Sequence, residues 1–279
     1  MGSHGVGRQE PTPDTLVVFS HPNHEVAIFG LLQRWRPAIL YLTDGGGADR
    51  VAETEQGLRS IGLLDRATFL NRPEASFYRA LLDVDHAFFR DVADRVAQAV
   101  DRWQPRRVLC DAVEYYNPVH DLSLPLVVRG LAASTHGARG GVEVFEIPLI
   151  RQVPSGGREA YAVQRPTPSR AGSQMRVTLT AEELAAKRAA RDQVYTILAA
   201  QMGPLVCDLP DDHLQTETLV PAVLSSEVAG EYALRYEWRA AVLRRQGAIE
   251  QAITHADHFL PVAHALAGGA SGTPPLAST

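Results

Sequence analysis

Short apolar runs alternate with amphipathic segments along the first half of the chain. Runs rich in apolar and β-branched residues predict buried strands at 15–20, 38–43, 67–70 and 107–110. Apolar residues at helical spacing predict helices at 26–34, 50–63, 84–103 and 121–133. Strands connected by helices usually pair in parallel. The pattern therefore predicts an α/β fold with a mostly parallel sheet and helices on both faces.

The second half of the chain continues this pattern and ends in a helical stretch. The predicted elements are strands at 142–147, 161–163 and 175–179 and helices at 180–202 and 226–266. Tyr and Trp side chains in the last stretch favour burial or a homodimer interface. We expect four parts: a flexible N-terminus (1–14), an α/β domain (15–220), a C-terminal helical extension packed on it (221–267) and a disordered tail (268–279).

Two of the predicted strands end in loops that carry histidines. The run 15–20 leads into His21-Pro-Asn-His24-Glu, and the run 107–110 is followed by Asn-Pro-Val-His120. Ligand sites in open α/β sheets lie at the carboxyl ends of strands, where these loops stand. Two imidazoles close in sequence and one from a distant strand end are typical of a three-ligand metal site with an open position.

These loops carry a resemblance to a known family. Segments 21–25 (His-Pro-Asn-His-Glu), 42–45 (Leu-Thr-Asp-Gly) and 117–120 (Asn-Pro-Val-His) resemble, in order, motifs of the LmbE-like (PIG-L) zinc-dependent N-acetylglucosaminyl deacetylases. The first and last family motifs are usually His-Pro-Asp-Asp-Glu and His-Pro-Asp-His. The resemblance covers residues 15–220. It implies a Rossmann-like sheet with the site at its carboxyl edge.

The resemblance implies that His21, His24 and His120 bind zinc. His24 stands where the family has an aspartate, so the metal would be held by three neutral imidazoles. Such a metal keeps more positive charge and acidifies bound water more strongly. Fe²⁺ is the alternative metal, because imidazole also suits iron.

Both proton-handling positions of the family are amides in this chain. Asn23 stands at the general base, and Asn117 stands at the histidine that helps to stabilise the tetrahedral intermediate. An amide does not accept a proton near neutral pH. The remaining candidates for proton transfer are the acids of the two loops: Glu25, Asp111, Glu114 and Asp121. A helix-capping role for Asp121 is the alternative.

Other positions near the predicted site have weaker support. Tyr115 matches the tyrosine that precedes the family's late motif, and Asp44 is expected to support the metal ligands or to bind substrate. Residues 71–82 provide either substrate contacts or a solvent-exposed loop. Glu53 is expected to be a solvated charge on a helix, although the family often has an acid there that organises the pocket.

Composition excludes several classes of partner. A net charge of −5 and a pI near 6.1 argue against general nucleic-acid binding. No apolar run reaches the roughly 20 residues that span a bilayer. The N-terminus lacks the apolar core of a signal peptide, so a cytoplasmic protein is expected. Cys110 and Cys207 do not indicate a disulfide framework.

Three functions are compatible with these features. The first is a metal-dependent hydrolase that cleaves an N-acyl bond of a small molecule, such as an amino sugar conjugate, with metal-activated water. The second is a metalloenzyme of specialised metabolism whose three-histidine zinc or iron site performs other chemistry. The third is a catalytically inactive binding descendant. Asn23 and Asn117 argue against the first, and the three ligand-type histidines argue against the third.

Overall fold

The computed structural model describes residues 13–153, 160–202, 211–223 and 234–268. Predictions for 1–12, Cys207, 226–233 and 269–279 lie outside these residues. The strands are β1 (Thr15–Phe19), β2 (Ala38–Thr43), β3 (Ala67–Arg72), β4 (Arg107–Asp111), β5 (Glu143–Ile147), β6 (Ile150–Val153), β7 (Ala160–Val163), β8 (Met175–Thr178) and β9 (Thr216–Pro221).

Helices lie between and after the strands along the chain. The α-helices are α1 (Phe29–Trp35), α2 (Ala48–Ser60), α3 (Glu74–Leu82), α4 (His86–Trp103), α5 (Pro118–Asp121), α6 (Ser123–Ala133), α7 (Ala181–Gln193), α8 (Thr196–Met202), α9 (Asp211–Leu214), α10 (Arg235–Arg245) and α11 (Leu260–Gly268). A 3₁₀ segment, His24–Ile28, precedes α1, and a π-helical turn, His255–Phe259, precedes α11.

The sheet confirms the predicted α/β fold. Its strand order is β3-β2-β1-β4-β5-β9-β8. The five strands from β3 to β5 are parallel, β9 pairs antiparallel with β5, and β8 pairs antiparallel with β9. Strand β1 lies at the centre, with Val17 beside Ile39 of β2 and Leu109 of β4. The carboxyl ends of β1 and β4 are therefore adjacent, and each leads into one of the histidine loops.

Both faces of the sheet are buried under helices. Leu16 and Val18 of β1 pack in a core with α4, α6 and α11. Val17 and Phe19 point the other way and pack with α1 and α2. Successive side chains of a strand alternate between faces, so a strand that is covered on both sides is apolar throughout. This explains why β1, β2 and β4 are recognisable as continuous apolar runs.

Strand β9 was not predicted, because its apolar pattern is interrupted by Glu217. The side chain of Glu217 is fully buried and accepts a hydrogen bond from the Nζ of Lys187 at 2.8 Å. Its carboxylate also accepts the backbone N–H groups of Gly30 and Leu31 at 2.9 and 2.7 Å. The buried charge of Glu217 is thus compensated by Lys187, the single lysine of the chain, and by backbone N–H groups at the start of α1.

The helix predicted over 180–202 is in fact two helices, α7 and α8. Tyr195 lies between them and is fully buried, with its ring 6.3 Å from that of Phe29. The break allows the Tyr195 side chain to enter the core beside α1. Residues 74–82, whose structure the sequence left open, form α3.

The C-terminal stretch is helical in two separate parts. Helix α10 ends at Arg245, and Gly247 follows in the left-handed region at φ 71°. Val262 and Leu266 of α11 are buried against α4 and α6. The division into domains and the homodimer stay predictions. No helix among the described residues has the length and apolar character needed to cross a membrane.

Candidate metal centre and pocket

The three predicted ligand histidines meet at the carboxyl edge of the sheet. His21 and His24 follow β1, and His120 lies in α5 beyond β4. One ring nitrogen from each residue lies within 4.8 Å of the others. All three side chains are buried, and their ring centroids are 4.5 to 5.1 Å apart. This arrangement has the residue types and spacing needed to hold a divalent transition metal.

The His24 ring is oriented by a buried carboxylate. Its Nδ1 is 3.0 Å from Oδ2 of Asp111, which is fully buried at the end of β4. The same oxygen accepts the Ser20 backbone N–H at 2.7 Å and the Ser20 hydroxyl at 2.6 Å. When Nδ1–H donates to Asp111, Nε2 remains free as a ligand, as in carboxylate–histidine–metal triads.

Burial favours the neutral imidazole of His24 and of His120. It lowers the pKa of His24 despite the opposing effect of Asp111. Burial also lowers the pKa of His120 well below its ordinary value, and the neighbouring His24 and His21 lower it further. Neutral imidazole is the form that binds metal, so the donor set fits the ion that the resemblance implies.

Glu74 approaches His21 from the start of α3. Its Oε1 is 3.0 Å from Nε2 of His21, yet this contact lacks hydrogen-bond alignment. The hydroxyl of Tyr78 donates to the same carboxylate oxygen at 2.7 Å. Burial raises the pKa of Glu74, but the contacts with His21 and Tyr78 outweigh it, and the pKa falls to about 2. Glu74 is therefore ionised at neutral pH.

The Asn23 amide is held at both ends. Its Oδ1 accepts the hydroxyl of Thr54 at 2.9 Å, and its Nδ2 donates to Glu53 at 3.0 Å. The residue lies in the left-handed region at φ 78°. Glu53 is 9% exposed and also accepts the backbone N–H of Ile197. The expectation of a solvated Glu53 was wrong, because its carboxylate joins the Asn23 loop to α8.

Glu25 does not line the pocket. Its fully buried carboxyl lies among the hydroxyl groups of Thr54, Tyr195 and Tyr41, and burial raises its pKa. The side chain points into the interior behind the histidine loop. Adjacency to His24 in sequence therefore does not give Glu25 access to a substrate.

Glu114 and Asp121 bind backbone rather than face the pocket. Oε2 of Glu114 accepts the N–H groups of Leu149 and Ile150 at 2.9 and 2.7 Å. Oδ1 of Asp121 accepts the N–H groups of Glu114 and Tyr115 at 2.8 and 3.1 Å. Burial raises the pKa of each carboxyl to about 8. Both acids therefore hold backbone in and beside the second histidine loop. The sequence had suggested a role in proton transfer for them.

The pocket tyrosine is Tyr116 rather than Tyr115. Tyr115 has a left-handed φ of 55°, and its ring meets that of His255 at 5.2 Å. Tyr116 lines the pocket, with its ring nearly parallel to that of His120 at 6.2 Å. Asn117 also lines the pocket, and its Oδ1 accepts the backbone N–H of Val119 at 2.8 Å.

Asp44 supports the site from outside the pocket. Its Oδ1 accepts the N–H groups of Gly46 and Glu74 at 2.9 and 3.0 Å. The predicted supporting residue therefore holds the start of the helix that presents Glu74. Glu74 follows β3 directly, so the rule that selected Asp44 at the end of β2 could also have selected Glu74.

A pocket of about 210 Å³ opens beside the histidines. Its polar lining consists of His21, Asn23, His24, Arg50, Glu74, Tyr116, Asn117, His120, Gln164 and Gln201. Its apolar lining consists of Val26, Ala27, Leu149, Ile150, Val163, Leu198 and Met202. Among these described residues, Glu74 is the only carboxylate. The site thus combines a candidate metal centre, one acid and an apolar wall.

Comparisons with known proteins give structural neighbours only. No family model and no curated protein matched the chain. A deacetylase–bog complex from the teicoplanin biosynthesis pathway is 17% identical with a TM-score of 0.52, covering 77% of this chain and 99% of that one. An antimicrobial pseudoaglycone deacetylase is 14% identical with a TM-score of 0.53, covering 80% and 99%.

A third neighbour is described as the zinc inhibited form of teicoplanin deacetylase. It is 16% identical with a TM-score of 0.51, covering 77% of this chain and 99% of that one. At these identities the likeness concerns the fold. The chain therefore shares the α/β fold of these deacetylases, which is the fold expected from the LmbE-like resemblance.

Proposed function

We propose that the chain is a metal-dependent hydrolase that cleaves the N-acyl bond of a small molecule, with His21, His24 and His120 as the metal ligands. The observation that carries the proposal is the convergence of three buried ring nitrogens within 4.8 Å. The contact between His24 and Asp111 adds support, because it leaves the second nitrogen of His24 free.

A bound zinc ion would polarise the substrate carbonyl and lower the pKa of water to about 7. The other tasks fall to side chains of the pocket. Glu74 takes the proton of the attacking water and delivers it to the leaving nitrogen. Its carboxylate is ionised and is the only acid among the described lining residues. Glu74 thereby replaces the proton acceptor that the chain lacks at Asn23.

Asn117 is suited to a complementary role. Its Oδ1 accepts the Val119 N–H at 2.8 Å and lies 3.3 Å from the Tyr78 hydroxyl oxygen. Asn117 also hydrogen-bonds the Glu74 carboxylate, so one N–H of its Nδ2 group serves that contact and the second can donate to substrate. An amide donor stabilises negative charge on an oxygen without changing its own protonation state. This role is compatible with an amide at the position where the family has a histidine.

The structural neighbours support the reaction class. One is described as a deacetylase in the biosynthesis pathway of teicoplanin, one as an antimicrobial pseudoaglycone deacetylase, and one as the zinc inhibited form of teicoplanin deacetylase. Removal of an acyl group from an amine is the shared chemistry that we extend to this chain. We keep Fe²⁺ as the alternative ion, since three imidazoles also suit iron.

The test is metal analysis followed by a hydrolysis screen. Protein purified without added metal is assayed for metal content, together with His24→Ala. We expect about one zinc per chain, loss of that zinc in the variant, and release of amine from members of an N-acyl library. Iron with oxygen-dependent turnover would favour the other metalloenzyme chemistry. Absence of metal in the unmodified protein would contradict the proposal.

A further inference from the structure

The pocket has two chemically different sides along the carboxyl edge of the sheet. Arg50 and Glu74 follow β2 and β3 on one side of the central strands β1 and β4. On the other side, Leu149 follows β5, Ile150 begins β6 and Val163 ends β7. The three histidines lie between them. A molecule whose reacting bond is at the histidines therefore meets charged groups at one end and hydrocarbon at the other.

Helices extend the apolar side into a wall. Val26 and Ala27 come from the 3₁₀ segment before α1, and Leu198 and Met202 come from α8. Leu149 and Ile150 are held in place because Glu114 accepts both of their backbone N–H groups. Gln164 and Gln201 are the polar residues that neighbour these side chains in sequence, and a hydroxyl-rich group placed against the apolar side chains themselves would lose most of its hydrogen bonds to water. The wall therefore favours a hydrocarbon chain.

We infer that the apolar wall binds the hydrocarbon chain of an N-acyl group longer than acetyl, and that the amine part of the substrate lies toward Arg50 and Glu74. The inference rests on the proposed hydrolysis. In that reaction water adds across the C–N bond, the hydroxyl goes to the acyl carbon and the proton goes to nitrogen. The products are a carboxylic acid and an amine, and transfer of the acid proton to the amine gives a carboxylate and an ammonium ion.

The chemistry of the two products fixes this orientation. Beyond its carbonyl oxygen, a fatty acyl group has no atom that needs a polar partner. The amine leaves as a group that becomes an ammonium ion in water, and the carboxylate of Glu74, the one acid among the described lining residues, is complementary to that charge. The reverse orientation would place the charged product against Leu149, Ile150 and Val163. The apolar acyl chain is therefore complementary to the apolar wall.

Product binding tests the inference without a turnover assay. The Kd of straight-chain fatty acids from acetate to octanoate is measured by calorimetry on the zinc-loaded protein. Burial of one methylene corresponds to about a fourfold gain in affinity. We expect Kd to fall by about that factor per carbon until the pocket is filled. Equal affinities for acetate and octanoate would overturn the inference.

A substitution in the wall tests where the chain lies. Leu198→Asn places an amide beside the bound chain, and Leu198→Met is the matched apolar control. We expect Leu198→Asn to weaken octanoate binding about tenfold, since the amide is left without a partner, and to leave acetate unchanged. Leu198→Met should bind both acids like the unmodified protein. Val163→Thr, nearly the same in shape, provides a second variant should Leu198→Asn fail to fold.

Hydrolysis of two substrate series separates this inference from the proposed function. One series varies the acyl chain on glucosamine, and the other varies the apolar size of an acetylated amine. A rise in kcat/KM along the first series supports the inference, and a rise along the second series alone overturns it. If the affinity for fatty acids rises with chain length but no substrate is hydrolysed, the inference about the wall is supported and the proposed reaction is rejected.

Discussion

Two groups of histidines among the described residues differ in geometry, and one of the two has the geometry of a metal site. His255 and His258 lie three residues apart on a helical turn, a spacing that is compatible with metal binding. The ring of His255 is bound through Nδ1 to the Tyr236 hydroxyl at 2.9 Å, and that of His258 accepts the Thr254 N–H at 2.9 Å. Among the described residues, the convergent group is that of His21, His24 and His120.

The difference between the two groups lies in what their ring nitrogens contact. In the C-terminal group the rings are used for local packing, and His255 also stacks on Phe259 with centroids 5.1 Å apart. In the first group Asp111 orients one ring, and one ring nitrogen of each histidine lies within 4.8 Å of the others. Spacing along a helix is therefore a weak guide to metal binding. Convergence of free nitrogens from separate strand ends is the stronger criterion.

Removal of one histidine from each group is expected to give the largest difference, which is a difference in metal content. We expect His120→Ala to lose the bound metal and with it all hydrolysis, because two imidazoles remain. His255→Ala should retain the metal, as measured by elemental analysis of both purified variants. The comparison fails if His255→Ala loses metal to the same extent as His120→Ala.

Glu74→Gln sharpens the comparison by separating metal binding from proton transfer. Loss of a general acid–base group typically reduces the rate by about 10²- to 10⁴-fold. We expect a reduction in kcat of that size, with metal content unchanged because the three histidines remain. The control is Glu143→Gln at the amino end of β5, where the side chain is 51% exposed. Unchanged kcat in Glu74→Gln would exclude the proposed role of this carboxylate.

Asp111→Asn tests whether the orienting carboxylate distinguishes the first histidine group. Loss of such a partner typically lowers metal affinity about 10- to 100-fold. We expect an effect of that size in a competition assay with a zinc chelator. Ser123→Ala is the control, because its hydroxyl lies 3.5 Å from the Asp111 carboxylate while the contact with His24 persists. Equal zinc affinities in Asp111→Asn and the unmodified protein would contradict the orienting role.

The smallest expected effect concerns the support beneath the second histidine loop. Burial raises the pKa of Glu114 to about 8 from its ordinary 4.5. Between these values the folded protein keeps a proton that the unfolded chain releases, so the free energy of unfolding falls as pH rises from about 5 to 8. A single such group contributes at most about 1.4 kcal/mol per pH unit. Urea unfolding at several pH values in this range should show that the free energy of unfolding falls less steeply with pH in Glu114→Gln than in the unmodified protein. Identical slopes would show that Glu114 does not carry the dependence.

The central strands and the histidines were predictable from the sequence, whereas the positions of the acids were not. Apolar runs predicted β1, β2 and β4, because strands covered on both faces are apolar throughout. The rule that ligands follow strand ends placed His21 and His120 together. The same rule suggested Glu25, yet its carboxyl lies behind the loop among buried hydroxyl groups. Glu74 enters the pocket from a helix that the apolar pattern did not resolve.

Side-chain direction accounts for most of these differences. Tyr115 and Tyr116 are neighbours in sequence, but the left-handed backbone at Tyr115 turns its ring toward His255 and leaves Tyr116 on the pocket. Glu217 interrupts the apolar pattern of β9, and only the distant Lys187 accounts for its burial. Neither contact is encoded in a local pattern, because each depends on a partner far away in the chain.

Local sequence therefore determined the apolar strands β1, β2 and β4, their parallel direction and the histidines at two strand ends, since periodicity and strand polarity act over a few residues. The tertiary structure decided which acid reaches the pocket, which carboxylates bind backbone and which side of the site is apolar. These outcomes depend on how β3, β5 and the surrounding helices meet at one edge of the sheet. The direction of a side chain at that edge is set by packing against elements distant in sequence, and no local pattern contains that information.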